Sequence, residues 1–224
     1  MNISVVLCTY NGEKYLQEQL DSISKQTCLP DELIVCDDGS TDSTIEILEV
    51  FSKTAPFETR IFCNDKNLGP GRNFAKAINL SKGKFICLCD QDDYWLPNKI
   101  ENSIQKITSM EKRFGQNQPL LVHTDAIVAD ENLIKVHSSL WDFQHSFPQK
   151  GHTFAKLLSQ NLVTGCTAVI NKALKDKALP IPENAVMHDW WFALVAAAFG
   201  QIDSICKPTL LYRQHGKNDI GAKH

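Results

Sequence analysis

The chain has 224 residues, enough for one α/β domain with a full core and too few for two ordinary ones. Hydrophobic residues at 43% and charged residues at 22% exclude a disordered chain. A net charge of −3 excludes a partner held mainly by its phosphate backbone, so no nucleic acid is expected.

Residues 2–8 form a continuous apolar run that ends in the turn signal Thr9-Tyr10-Asn11-Gly12, and they predict a buried strand. Leu16, Leu20 and Ile23 then recur at helical spacing. Residues 33–36 give a second strand, broken by Asp37-Asp38-Gly39-Ser40. Ile45, Leu48 and Phe51 mark a second helix, with Ser40, Thr41 and Asp42 available as caps. Residues 60–63 are strand-like, and Phe74, Ala77 and Ile78 mark a third helix after Gly69-Pro70-Gly71. Residues 85–89 make a fourth strand that ends in acidic residues. Ile100, Ile104 and Ile107 follow as a helix begun near Pro97, a favoured first-turn residue. Strands alternating with helices in short units predict an α/β fold with a parallel sheet and right-handed crossovers.

After residue 120 the rhythm changes. Residues 120–122, 127–129, 168–170, 202–205 and 210–212 read as short strands, and residues 190–199 as an apolar helix. Residues 140–152 are irregular and aromatic. No linker, repeat or low-complexity tract interrupts the chain, so a single domain is expected over 1–224.

Five of the eight cysteines, Cys8, Cys36, Cys63, Cys87 and Cys89, lie in apolar runs that read as buried strands, where a thiol acts as a small hydrophobe. No disulfide framework or zinc spacing is expected, which points to a reducing, cytoplasmic compartment. The N-terminus lacks a signal-peptide pattern, and no run reaches the length of a bilayer span.

In an open parallel sheet, ligands sit beyond the carboxyl ends of the strands. The polar clusters of this sequence fall there: Thr9-Tyr10-Asn11, Asp37-Asp38, Asn67 with Arg72, and Asp90-Gln91-Asp92-Asp93. Turns collect such residues anyway, but four strand ends sharing one edge point to a site. Asp90, Asp92 and Asp93 concentrate negative charge that a cation would neutralise, and hard oxygen ligands favour Mg2+ or Mn2+. A lone pair of spaced aspartates is more often a solvated turn; here the apolar run before it fixes the direction of the carboxylates.

The order and spacing of these motifs resemble the family 2 glycosyltransferases of the GT-A fold. The resemblance rests on residues 5–12, residues 34–42, Asn67-Leu68-Gly69, and Asp90-Gln91-Asp92-Asp93-Tyr94-Trp95-Leu96-Pro97. It implies a Rossmann-like, mostly parallel sheet flanked by helices, with a nucleotide-binding half at 1–99 and an acceptor-side half at 100–224. It implies that Tyr10 stacks on the nucleotide base and Asp38 bonds it, with Thr9 in the same pocket. Asn11 and Asn67 belong to the same nucleotide-sugar group, and Arg72 assists at the phosphates. Asp90 matches the D-x-D position near the ribose, and Asp92 the one that binds a Mn2+ or Mg2+ bridging the diphosphate.

Asp189 matches the family's catalytic base, with His188 where glutamate often precedes it; the match favours that role over a mere helix cap, which aspartate also serves well. His215 falls where many such enzymes place a metal ligand. Asp93, Trp190 and Trp191 are expected on the acceptor side, one tryptophan at least being core.

The implied reaction is inverting transfer from a UDP- or dTDP-linked sugar to a hydroxyl of a glycan or lipid-linked glycan. The wording around the aspartates is similar to bacterial surface-polysaccharide enzymes, including rhamnosyltransferases. That implies peripheral association with the inner membrane face, and relatives that run longer than this chain. Three other readings compete: a haloacid-dehalogenase-like phosphohydrolase using Asp37-Asp38-Gly39-Ser40-Thr41, a binder of nucleotide sugars that catalyses nothing, and a nucleotidyltransferase, whose glycine- and lysine-rich phosphate loop is not visible near the N-terminus.

Overall fold

Val5 and Leu7 of β1 (Ile3–Thr9) pack into one layer of helices, while Val6 and Cys8 pack into the other. Leu33 and Val35 against Ile34 and Cys36 repeat the alternation in β2 (Glu32–Asp37). Successive side chains point to opposite faces, so a continuous apolar run means a strand covered on both sides. Each fully buried aliphatic side chain in these runs contributes roughly 1.5–3 kcal/mol relative to exposure.

The computed structural model describes residues 3–148, 151–216, 218 and 221–222. Asn2 of the first expected strand, and Gln149 and Lys150 of the irregular stretch, lie outside the described residues. The remaining strands are β3 (Glu58–Cys63), β4 (Phe85–Cys89), β5 (Tyr94–Trp95), β6 (Leu120–Ala129), β7 (Lys135–His137), β8 (Val169–Asn171) and β9 (Gln201–Arg213). They form one sheet in the order β3-β2-β1-β4-β8-β6-β9-β5, with β7 added to β6. The first four strands are parallel, as their alternation with helices predicts. β8 is antiparallel to both β4 and β6, while β6 and β9 run parallel. The expected α/β fold, mostly parallel and flanked by helices, is what the chain adopts.

One face is covered by α1 (Leu16–Ser24), α2 (Thr44–Ser52) and α4 (Lys99–Phe114), through Leu16, Leu20, Leu48, Ile100, Ile104 and Ile107. The other is covered by α3 (Pro70–Leu80), α7 (Lys172–Ala178) and α8 (His188–Phe199), through Phe74, Ile78, Leu174, Phe192 and Ala196. Two short helices, α5 (Leu140–Phe143) and α6 (Phe154–Ser159), lie in the stretch between β7 and β8.

Three expectations need correction. Residues 120–122 and 127–129 belong to one strand, and 202–205 with 210–212 to another. Buried polar residues between the pieces find partners: Thr124 Oγ1 meets Thr209 Oγ1 at 2.6 Å, and Asp125 Oδ1 accepts the Ala126, Leu140 and Trp141 amides. Register shifts around Thr124 and Asp125 absorb the irregularity. Cys63 is exposed rather than buried, because β3 is an edge strand with a single strand neighbour.

Candidate active site

The carboxyl ends of β1, β2 and β4 open into a cleft of about 570 Å³. Its wall includes Thr9, Tyr10, Asp38, Asn67, Asp90, Asp92, Asp189 and Trp190, so most of the residues singled out from the sequence come together.

Asp37 and Asp38 divide their work. Asp37 is buried and accepts from Thr9 Oγ1 at 2.7 Å, Ser40 Oγ at 2.5 Å, and the Gly39 and Ser40 amides. A carboxylate so surrounded anchors the loop after β2, and Asp37 is not part of the cleft wall, so the placement of a phosphohydrolase nucleophile finds no support there. Asp38 accepts from Asn64 Nδ2 at 2.7 Å and from the Leu68 and Gly69 amides, both at 2.8 Å. It thereby fastens the Asn67-Leu68-Gly69 turn to the cleft. Gly69 at φ +79° is where glycine is required.

The acidic loop after β4 separates its members. Asp90 and Asp92 line the cleft, whereas Asp93 is fully buried and accepts the Arg213 amide at 3.1 Å. Burial, then the charges of Asp92 and Asp90, push the Asp93 carboxyl well above its ordinary range. Asp93 therefore sits beneath the site and does not face an acceptor.

Asp92 Oδ2 lies 2.8 Å from His215 Nε2 and also accepts from Asn218 Nδ2 at 3.3 Å. The His215 ring stacks on Tyr15 with centroids 4.8 Å apart. A carboxylate and an imidazole nitrogen facing each other suit Mn2+ or Mg2+, whose other positions phosphate oxygens and water can fill. Asp90, Asp93 and Cys166 also bring donor atoms within 4.8 Å of one another. Burial, then Asp93 and Asp90, push the Cys166 thiol well up, so the sulfur keeps its proton and suits such a cation less.

Asp189 opens α8 at the far side of the cleft. Its Oδ1 accepts the Trp190 amide at 2.6 Å and its Oδ2 the Gly165 amide at 3.0 Å. Burial outweighs these hydrogen bonds and pushes its carboxyl up to about 6. A Cβ on Gly165 would come within 3.2 Å of His188 Nε2, a tight approach to a buried ring, and into ordinary contact with Asp189. Burial holds His188 down at about 3, so its imidazole is neutral and stacks on Phe74 with centroids 4.0 Å apart. The histidine in place of glutamate thus adds no charge beside Asp189.

Other expected residues fall elsewhere. Asn11, left-handed at φ 46°, braces the loop after β2: its backbone N–H donates to Ser40 Oγ and its Oδ1 accepts the Thr41 backbone N–H. Arg72 is exposed, with its guanidinium 3.6 Å from Glu183 and outside the cleft wall. Trp191 donates to Ala178 O at 2.8 Å and packs into the core, while Trp190 donates to Leu157 O at 2.6 Å and does reach the cleft.

Four contributors escaped the sequence reading. Trp141 and Asn161 line the cleft from segments without a periodic pattern. Gln91 binds the Tyr10 backbone. Arg213 is buried, lies over the Tyr15 ring, and donates to Asp92 O at 2.6 Å, to Glu131 O, and to the Glu18 carboxylate. The one available signal was an arginine two residues before His215.

Comparisons with known proteins agree with this geometry. The family described as "Glycosyl transferase family 2" matches residues 4–176. The chain is 31% identical to the dTDP-rhamnosyl transferase RfbG of Shigella flexneri, over 96% of this chain and 74% of that protein. It is 30% identical to the Escherichia coli UDP-Glc:alpha-D-GlcNAc-diphosphoundecaprenol beta-1,3-glucosyltransferase WfaP, over 56% of this chain and 49% of that protein. Among solved structures, Staphylococcus aureus TarS bound to UDP superposes with a TM-score of 0.71 at 23% identity, covering 96% of this chain and 61% of that one. The Pyrobaculum calidifontis mannosyltransferase PcManGT, in complex with GDP-Man and Mn2+, gives 0.69 at 16% identity, covering 94% of this chain and 56% of its own. With that match over most of its length and the carboxylates meeting in one cleft, the chain belongs to glycosyl transferase family 2.

Proposed function

We propose that this protein transfers a sugar from a UDP- or dTDP-linked donor to a hydroxyl of a glycan or lipid-linked glycan, with inversion at the anomeric carbon. The observation that carries the proposal is that Asp92 and Asp189, nearly a hundred positions apart in the sequence, face the same cleft. One belongs with a diphosphate and the other with an incoming alcohol.

Tyr10, Thr9, Asp38 and Asn67 bind the nucleotide on one side, with Asp90 toward the ribose. Asp92 and His215 would hold Mn2+ or Mg2+, which when bound neutralises the charge that gathers on the departing diphosphate. Asp189 takes the proton from the acceptor hydroxyl as oxygen bonds to the anomeric carbon and the bond to the phosphate oxygen breaks. The Gly165 and Trp190 amides hold its carboxylate in place. A carboxyl raised to about 6 is a stronger base than an ordinary aspartate and is still ionised at neutral pH. Leu162, Val163, Val186 and Met187 give the Asp189 side of the cleft an apolar lining that suits an acceptor with a lipid carrier. Among the described residues no helix is long and apolar enough to cross a membrane.

Asp189→Asn tests the base. The variant should lose at least about a thousandfold in transfer rate while its affinity for UDP or dTDP with Mn2+ stays within about twofold of the parent's. Normal turnover by the variant would refute the assignment.

A further inference from the structure

Gln91, the middle residue between Asp90 and Asp92, carries no charge for a metal, yet it makes the contact that joins the two sides of the donor site. β1 and β4 run parallel, and their last paired residues are Leu7 and Cys89. Beyond that pair the β1 backbone continues alongside β2, as far as Thr9 opposite Asp37. The Gln91 carboxamide bridges the resulting gap. Its Oε1 accepts the Tyr10 N–H at 2.9 Å, and its Nε2 donates to the Tyr10 C=O at 3.0 Å.

Gly12 belongs to the same device. It is not among the glycines with positive φ, so backbone freedom does not explain it. A Cβ there would instead overlap Gln91 Oε1 and come within 2.6 Å of Gln91 Cδ. The left-handed residue of the turn is Asn11; Gly12 supplies room for the amide.

We infer that Gln91 is a positioning residue that pins the Tyr10 backbone to the metal-binding loop, in a space that Gly12 keeps open. The inference rests on the proposed role of Tyr10 at the nucleotide base. Tyr10 is 49% exposed, so the backbone beneath its ring decides where the ring stands. Asp92 is the next residue after Gln91. One side chain therefore sets the spacing between the group that meets the base and the group that meets the diphosphate. A carboxamide is the side chain that presents a donor and an acceptor together at this length. Glutamate would lack the donor, and methionine both.

The test is calorimetric titration of the full chain with UDP and with dTDP in the presence of Mn2+. The variants are Gln91→Ala, Gln91→Met, Gly12→Ala and the double variant Gln91→Ala/Gly12→Ala. Gly12→Ala displaces the free end of a flexible side chain rather than backbone, so the fold tolerates it, and Gly12 is not part of the cleft wall. Each single variant should raise Kd for the better-binding nucleotide about tenfold, while the loss of two exposed hydrogen bonds lowers the melting temperature of the nucleotide-free protein by only a few degrees. Gly12→Ala should add nothing once Gln91 is alanine, because the group it displaces is gone.

A merely structural glycine would not give that dependence. An unchanged Kd in the single variants, or a Gly12→Ala penalty that persists in full beside Gln91→Ala, overturns the inference and leaves the transferase reading intact. A parent protein that binds neither nucleotide with Mn2+ overturns both.

Discussion

Asp189 carries the strongest pH consequence at the residue scale. Its carboxyl is raised from 3.8 to about 6, chiefly by burial. As the proposed base it would work only when ionised, so kcat/KM should fall tenfold per unit as pH drops below about 6, and should level off above pH 7. The sign for stability is opposite. A carboxyl whose folded pKa is raised favours the folded state fully below 3.8, and that contribution is lost as pH rises through about 6. Asp189→Asn cannot titrate, so its stability relative to the parent should improve by roughly 2–3 kcal/mol between pH 4 and pH 7 in urea unfolding. A difference that does not change with pH would contradict the burial argument. Asp92 and Asp189 were singled out because their motifs stand in the order and spacing of the family; an acidic turn or a helix cap would account for either one alone. Asn11, Arg72 and Asp93 fall outside the cleft wall for one shared reason. A sequence tells which residues are near a site, but not whether a neighbouring backbone amide or an exposed glutamate claims the side chain first.

At the scale of elements, Asn171 shows how short segments are held. It caps α7 by accepting the Leu174 amide at 3.0 Å, accepts the Leu120 amide at 2.9 Å, and donates to Gln118 O at 2.8 Å. Asn171→Ala removes a cap and leaves the Leu120 N–H buried without a partner, so it should cost about 2–4 kcal/mol in urea unfolding. A cost under about 1 kcal/mol would mean that water replaces the amide. The alternation from β1 to α4 was legible because apolar runs and helical spacing agree there. β6 and β9 were not, since His123, Thr124 and Asp125 interrupt the apolar pattern while remaining inside the protein. β5 and β7, at two and three residues, are too short to show a period. Position in the sheet also governs how a strand reads. Cys63 looked like core, but nothing in residues 60–63 announces that their strand lies at an edge.

For the whole molecule, the cleft binds at the seam between segments that are far apart in sequence, so occupancy should stiffen the fold as a unit. UDP or dTDP at a hundred times its Kd, with Mn2+, should raise the melting temperature by about 5–10 °C. Nucleotide without the cation should give a smaller shift, because Asp90 and Asp92 then face the diphosphate uncompensated. Equal shifts with and without Mn2+ would argue against Asp92 and His215 as cation ligands.

The Trp190 indole ties together two things that could have been separate. Its ring nitrogen is fastened to Leu157 in α6, the helix that leads into the cleft wall at residues 161–165, and its backbone amide holds Asp189. An acceptor bulky enough to wedge that wall outward must drag the indole, and the indole drags Asp189, the proposed base, out of line. Oversized acceptors should therefore reveal themselves as occupants that react slowly, and not as molecules turned away at the entrance.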